Sequence, residues 1–289
     1  MSRRCVQQMT ASRRNEIAIS VGRALIEDLG DGDVTAALVH DAGKTVSATV
    51  VVREEAVLCG LEWFDEVYRQ VDPRIAVGWR HADGDLLAAG DVVCTLTGPV
   101  QAILTGERVA LNFLQTLSGT ATVTRRYVDA VAGTGARILD TRKTIPGMRR
   151  PQKYAVVCGG GTNHRIGLFD AFLIKENHIE AAGSLTAVVE KAASLRSGLL
   201  IEVEVENLDQ VAEALATPAE RLLLDNFSLD DTRTAVAWRN ERARDKELEA
   251  SGNVTLETIR PIAATGVDWI SVGAITKDVD ATDYSLRIG

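Results

Sequence analysis

Cysteine is scarce in this chain, with four in 289 residues. Cys5, Cys59, Cys94 and Cys158 show no CxxC and no Cys/His ligand spacing. That excludes a disulfide framework and a zinc site of ordinary spacing, and it points to buried thiols in a reducing compartment. Long apolar runs are missing too, so no segment approaches the length needed to span a bilayer. The opening residues MSRRCVQQMTASRR hold two Arg pairs but no apolar stretch of the kind a secretory leader needs. The expectation is a cytoplasmic protein without a membrane partner. Positive charge is in deficit, at a formal −8, and nucleic-acid binding is not expected, because phosphate-backbone contact needs a basic face.

What is there is an ordinary globular composition, 46% hydrophobic and 25% charged, which excludes disorder. At this length one α/β barrel or two domains are the leading architectures. The scarce positive charge is concentrated. Between Arg137 and His178 stand eight Lys or Arg against three acids, so this segment is at +5 while the remainder is at −13. Apolar runs at Ile138-Leu139 and at 171–174 each end in charged residues. That is the pattern of parallel strands delivering cations to one rim, where they meet an anionic ligand.

The first part of the chain reads as helix from Glu16 to Leu29, stopped at Gly30. Short β-like segments follow (VSATVVVRE, AVLCG, IAVGWRHA and VVCTLTGPV), with one helix from Glu62 to Val71. This is an N-terminal α/β domain expected over residues 1–108. From Gln101 to Val131 apolar residues repeat at helical intervals, with Gly119 as the expected break between two segments. Strands and helices then alternate. Strands are expected at Ile138–Asp140, Ala171–Lys175, Leu199–Val205, Arg221–Asp225, Leu248–Ala250 and Trp269–Val272. Helices are expected at Leu185–Leu195, Leu208–Leu215, Leu229–Arg242 and Leu256–Thr265. Repeated βα units imply a parallel sheet, and about six strands imply an irregular open α/β barrel rather than the regular eight-stranded form. The barrel domain is expected over 109–277, with the tail 278–289 joining the first domain.

Barrel chemistry sits at the C-terminal ends of strands. Those ends carry Arg142 and Lys143, then Lys175, Glu204, Asp225, Ser251-Gly252-Asn253 and Gly273-Ala274. A single charged residue beside a strand is commonly a solvated rim position; six consecutive ends suited to anions or a cation are harder to dismiss. Glu204 and Asp225 are oxygen ligands of the type a magnesium on phosphates uses. Glu202 and Glu206 share the face of Glu204, so the pattern alone does not select Glu204. SGN and VGA could hold a phosphate on backbone N–H groups. The GGGTNHR loop has neither Walker nor dinucleotide spacing, and its glycines let His164 and Arg165 turn toward the same pocket. The strand before EASGN begins with Lys246 and Glu247 where apolar residues belong, so it is expected to be short or displaced. His178 is expected to cap or pack beside its loop.

The segment DTRKTIPGMRRPQKYAVVCGGGTNHRIGLFDAFLIKENHI closely resembles the quinolinate phosphoribosyltransferase family. The likeness extends through EDLGDGDVT, LTGERVALNFLQTLSGTAT, IEVEVEN, LLLDNF, EASGNV and GVDWISVGA. It implies an N-terminal α/β sandwich-like domain plus an open barrel. It also implies conversion of quinolinate and 5-phosphoribosyl 1-diphosphate to nicotinate mononucleotide, diphosphate and carbon dioxide, a step of NAD synthesis. By motif position Arg142, Lys143, His164, Arg165 and Lys175 would surround the dicarboxylate and the diphosphate. Glu204 and Asp225 would hold magnesium, and Ser251, Gly252, Asn253 and Gly273 the 5-phosphate. The resemblance implies a homodimer or larger homo-oligomer with shared active sites, in which Arg108 reaches in from the neighbouring subunit. Lys143 or Lys175 would protonate the carbanion left by decarboxylation.

Competing readings are the related homologue associated with molybdenum transport and a nicotinate phosphoribosyltransferase without decarboxylation. A barrel lyase with Lys175 as a Schiff-base amine and a non-catalytic anion binder also compete. The full cationic set expected for a second carboxylate favours quinolinate.

Overall fold

The computed structural model describes residues 3–39, 41, 43–195 and 198–289, with side chains from Arg13 onward except at Ala37. Cys5 thus lies outside the described side chains; Cys59, Cys94 and Cys158 are thiols rather than half-cystines. In chain order come helix α1 (Arg3–Leu29), strands β1 (Thr45–Val52) and β2 (Ala56–Val57), α2 (Leu61–Val71), β3 (Ala76–Trp79), β4 (Leu86–Leu87), β5 (Val92–Pro99) and α3 (Val100–Ala130). Then follow β6 (Arg137–Leu139), α4 (Arg149–Cys158), β7 (Phe172–Ile174), α5 (Glu176–Ala182), α6 (Leu185–Leu195), β8 (Ile201–Val205), α7 (Leu208–Leu215) and β9 (Arg221–Asp225). The chain ends with α8 (Leu229–Arg242), β10 (Glu247–Ser251), α9 (Ile259–Ala263), β11 (Trp269–Ser271), α10 (Ala274–Lys277) and β12 (Tyr284–Ile288).

Two compact units result, residues 1–122 with 279–289, and residues 123–278. The division falls within α3 rather than at 108, because the helical pattern that starts near Val100 runs unbroken to Ala130. Gly119 is not the expected break. A Cβ there would overlap the carbonyl oxygen of Asp280, so the glycine lets the C-terminal tail pass against the helix. Gly106 serves α2 in the same way: a Cβ would stand 2.8 Å from Cε1 of Tyr68, which offsets a helix cost of roughly 1 kcal/mol.

The first unit is built on an antiparallel sheet of order β12-β1-β5-β3, with β2 and β4 as a separate pair. Strand β1 alternates, burying Ala48, Val50 and Val52. Helix α2 covers apolar surface with Trp63, Phe64, Val67 and Tyr68, a stripe of helical period. The tail is tied by Tyr284, whose hydroxyl donates to Ser118 at 3.0 Å, while Ser118 donates to the carbonyl of Cys59 and accepts its N–H.

The second unit is an all-parallel sheet of order β6-β11-β10-β9-β8-β7. Each strand from β7 to β11 lies beside the next in sequence, and β6 closes onto β11. Among the described residues no pairing joins β6 to β7, so the barrel is open there. This is the irregular six-stranded α/β barrel that the strand count implies. Alternation along the strands decides its two faces. Val203 and Val205, Leu222 and Leu224, and Leu248 and Ala250 join the hydrophobic cluster with the surrounding helices. The intervening Glu202, Glu204, Arg221 and Glu249 therefore face the other side. That inner face carries these charged residues beside Leu223, which is paired with Glu204 and Glu249.

Strand β10 is neither short nor displaced. It pairs with β9 in continuous register from Glu247↔Arg221 to Ser251↔Asp225. Lys246 donates its ammonium to the carbonyls of Thr217 at 2.6 Å and Ala219 at 2.5 Å. Glu247 accepts from Arg221 at 2.6 Å. Long-range partners replace the apolar residues that the strand start lacks. Side-chain caps fix the helices on this unit's outside, with Asn207 accepting from Gln210 N–H and Ser228 from Asp231 N–H.

Candidate active site

The parallel strands bring their C-terminal ends to one rim, and most of the residues expected there arrive together. Lys175, at the end of β7, lies with its Nζ 2.5 Å from Oε2 of Glu204 on β8. Its own N–H donates to Nδ1 of His178, which caps α5 as expected. Lys175 is 44% exposed and paired, not enclosed in the apolar pocket that a Schiff-base amine needs. Asp225, at the end of β9, is half-buried and has no hydrogen-bond partner among the described residues. Glu204 and Asp225 thus present oxygen donors from adjacent strands.

The loops after β9 and β10 interlock. Asn226 N–H donates to the carbonyl of Ser251 at 2.9 Å, and Asn253 Nδ2 approaches Asn226 Oδ1 at 3.4 Å. Asn226 (φ 54°) and Asn253 (φ 46°) are the only non-glycine residues with positive φ among those described. Asn tolerates that left-handed region better than most residues, and strain of this type gathers at functional sites. Gly252 (φ +112°) has no alternative, because a Cβ would overlap the Asn226 carboxamide. Gly273 begins α10 and lies under Lys143; a Cβ there would stand 3.1 Å from Lys143 Cδ. The backbone of Lys143 is fixed by Thr276, whose hydroxyl donates to its carbonyl at 2.7 Å.

Beneath the rim a buried polar frame shapes the GGGTNHR loop. Asp140 follows β6 and pairs with the Lys153 ammonium, and both are buried. The carboxylate also accepts from Asn163 Nδ2 at 2.7 Å and His164 N–H at 2.9 Å, while Lys153 donates to the His164 carbonyl at 2.9 Å. Burial pushes the Asp140 carboxyl up against the pull of Lys153, and burial likewise pushes Lys153 down. Gly161 is required because a Cβ would meet Val156 Cγ1 at 2.8 Å and Thr124 Cγ2 at 2.9 Å.

His164 turns inward. Its Nε2 lies 2.9 Å from Glu202 Oε2 and 3.5 Å from Glu249 Oε2, and its Nδ1 accepts from Arg165 N–H at 2.8 Å. Both ring nitrogens are therefore engaged within the protein. Burial opposes a charge on this ring, against the upward pull of the two carboxylates. A full imidazolium would turn an N–H against that of Arg165, so the hydrogen-bond geometry favours the neutral form with its proton on Nε2.

Arg165 is pushed down by burial and then by the neighbouring charge of Arg142. Arg142 has its Nε buried without a hydrogen-bond partner. Arg149 braces the pair from below, donating to the carbonyls of Arg142 and Ile166. Two like charges held together with donors to spare form a receptor for an anion. Arg108 is exposed on α3 within the first unit.

Sequence reasoning missed Asn226, Glu249 and the Asp140–Lys153 pair as parts of the site. Asn226 had a signal in its place directly after Asp225. The buried acids had none beyond the alternation that Glu202 shares with Glu204.

Residues 120–287 match the family described as quinolinate phosphoribosyl transferase, C-terminal domain, and residues 33–118 match the corresponding N-terminal domain. A relative from Mycobacterium leprae, named nicotinate-nucleotide pyrophosphorylase [carboxylating], is 43% identical over 274 residues, spanning 93% of this chain and 96% of its own length. One from Synechocystis, named as a probable enzyme of the same kind, is 42% identical and spans 91% of this chain and 90% of its own. The solved structure of the nicotinate-nucleotide pyrophosphorylase from Francisella tularensis superposes with a TM-score of 0.92 at 47% identity, covering 96% of this chain and 97% of that one.

Proposed function

The chain belongs to the quinolinate phosphoribosyltransferase family, and on that premise we propose how its barrel rim performs the family's reaction. The enzyme transfers the phosphoribosyl group of 5-phosphoribosyl 1-diphosphate to quinolinate with decarboxylation, giving nicotinate mononucleotide, diphosphate and carbon dioxide in NAD biosynthesis. The observation that carries the assignment of roles is the Arg142–Arg165 pair, held together against mutual repulsion with a buried, unpartnered Nε. A planar dicarboxylate supplies the acceptors that this pair lacks.

The bond from the anomeric carbon to diphosphate breaks with its electron pair leaving on oxygen, and the quinolinate ring nitrogen bonds to that carbon. Positive charge spreads over the ribose in between while negative charge grows on the leaving group, where Lys143 and Lys175 stand as point charges. Glu204 and Asp225 fit magnesium, being carboxylates on neighbouring strands with Asp225 unpartnered, and the ion supplies charge neutralisation to the bound diphosphate. The alkylated ring nitrogen is cationic. It stabilises the electron pair left on the adjacent ring carbon as the carboxylate departs as carbon dioxide, and Lys143 or Lys175 gives a proton to that carbon. Ser251, Gly252, Asn253 and Gly273 hold the 5-phosphate on the interlocked loops. Arg108 completes the pocket of a neighbouring copy in a homodimer or larger assembly; its exposure on α3 supports that reading. A cytoplasmic setting rests on the described thiols; among the described residues no helix is long and apolar enough to cross a membrane.

The test is an assay of the purified protein with quinolinate, 5-phosphoribosyl 1-diphosphate and magnesium, with nicotinate as the parallel substrate. Equal yields of carbon dioxide and nicotinate mononucleotide from quinolinate, and little product from nicotinate, are expected. Tight quinolinate binding without turnover would overturn the reading.

A further inference from the structure

Glu202 and Glu249 have no solvent exposure, and no step above uses them. Their oxygens meet His164, the two carboxyls hydrogen-bond each other, and Ser271 is a further partner of Glu249. Arg221 Nη1 stands 3.6 Å from Glu249, with its better bonds going to Glu247. Two buried acids gathered around one imidazole are costly unless that ring is held in return.

His164, Glu202 and Glu249 bring three ligand atoms within 4.8 Å of one another, yet the hydrogen bonds speak against a cation. A metal at Nε2 requires the ring proton on Nδ1, where a ligating histidine donates to a partner. Here Nδ1 is occupied by the donated N–H of Arg165. The proton therefore sits on Nε2, facing Glu202, and the cluster is a hydrogen-bonded clamp on the ring.

We propose that Glu202 and Glu249 are positioning residues that act through His164, fixing its tautomer so that the ring holds the backbone of Arg165 and sets that guanidinium beside Arg142 to receive a dicarboxylate. The inference rests on reading this pocket as the quinolinate site. The chain of contacts runs from the carboxylates to Nε2, through the ring to Nδ1, and from there to Arg165 N–H. Glu202 also offsets the charge of Arg165 directly, opposing the repulsion from Arg142. The clamp thus serves the carboxylate-binding cations and leaves the loops after β9 and β10 untouched.

The experiment is nitrogen NMR of histidine-labelled full-length protein, followed by kinetics of Glu202→Gln and Glu249→Gln. Wild type is expected to show His164 protonated at Nε2 with a lone pair on Nδ1. The variants are expected to raise the KM for quinolinate about tenfold to a hundredfold, as a small misplacement of a binding group does, with the KM for 5-phosphoribosyl 1-diphosphate unchanged. Glu202→Asp should recover part of the loss. A wild-type His164 protonated at Nδ1 overturns the proposal before any variant is made. So do variants that shift both KM values together, or neither. Should wild type fail to turn over quinolinate, only the reading of the reaction falls. The tautomer, and calorimetry of quinolinate with Glu202→Gln, then decide this proposal.

Discussion

The place where a Cβ of Gly252 would stand is already filled by the carboxamide oxygen of Asn226. One residue closes the loop after β9, the other the loop after β10, and Asn226 N–H bonds the carbonyl of Ser251. Asp225 and Ser251, already paired in the β9–β10 ladder, are thus further fixed by this junction. Gly252→Ala is expected to force Asn226 out, raising the KM for 5-phosphoribosyl 1-diphosphate about a hundredfold, the usual cost of a misplacement near 1 Å. Strain at φ +112° costs roughly 1–3 kcal/mol of stability. Quinolinate binding measured alone should not change; a matching loss there would separate this junction from the phosphate.

Lys246 is expected to matter for stability and not for turnover. Its ammonium satisfies the carbonyls of Thr217 and Ala219 at the start of β10, the end of the strand away from the rim. Lys246→Met keeps the stem and strands two carbonyls, at a cost of about 1–3 kcal/mol. Urea denaturation should show that loss with kcat and both KM values retained. An unchanged midpoint would mean that water replaces the ammonium without penalty.

Much of this architecture is legible in the sequence because each barrel strand is a short apolar run that ends in a polar residue. The helices Leu185–Leu195, Leu208–Leu215 and Leu229–Arg242 stand where their periodicity puts them. Depth is not legible. Glu202 and Glu204 occupy equivalent positions in the alternation, and only the pairing of Glu202 with Leu173 and of Glu204 with Leu223 sets one deep and the other at the rim. Gly119 fails for a related reason. A glycine inside a helix reads locally as a break, whereas here it answers to Asp280, far away in the chain. Lys246 and its two carbonyls are the same kind of non-local partnership. The site residues at strand ends were readable because chain polarity and parallel pairing put them on one rim; the residues that hold them came from tertiary contacts.

The two arginines are expected to act as one receptor. Arg165→Lys removes the planar fork and should raise the KM for quinolinate about tenfold to a hundredfold, the worth of a good charge-assisted bidentate contact. Arg142→Lys should behave alike. Because both guanidiniums are expected to grip the same planar dicarboxylate, the double variant should lose less than the sum of the singles. Strict additivity in a double-mutant cycle would show two independent contacts.

The last step is assigned, on the proposed reading, to Lys175 or Lys143. Decarboxylation leaves an electron pair on the ring carbon, and an ammonium at the rim can supply the proton. Lys175 lies 2.5 Å from Glu204, whose carboxylate holds the ammonium in place, and solvent restores the proton afterwards. If Lys175 is the donor, Lys175→Ala should lower kcat by about 10²–10⁴, the usual worth of general acid catalysis, with a smaller change in quinolinate affinity. Lys175→Arg separates charge from proton, since a guanidinium keeps its protons. It should therefore restore substrate binding without restoring kcat, and the solvent isotope effect of wild type should disappear with it. Full turnover in Lys175→Arg would reduce Lys175 to a fixed charge and pass the proton to Lys143, which extends over Gly273 on the same rim.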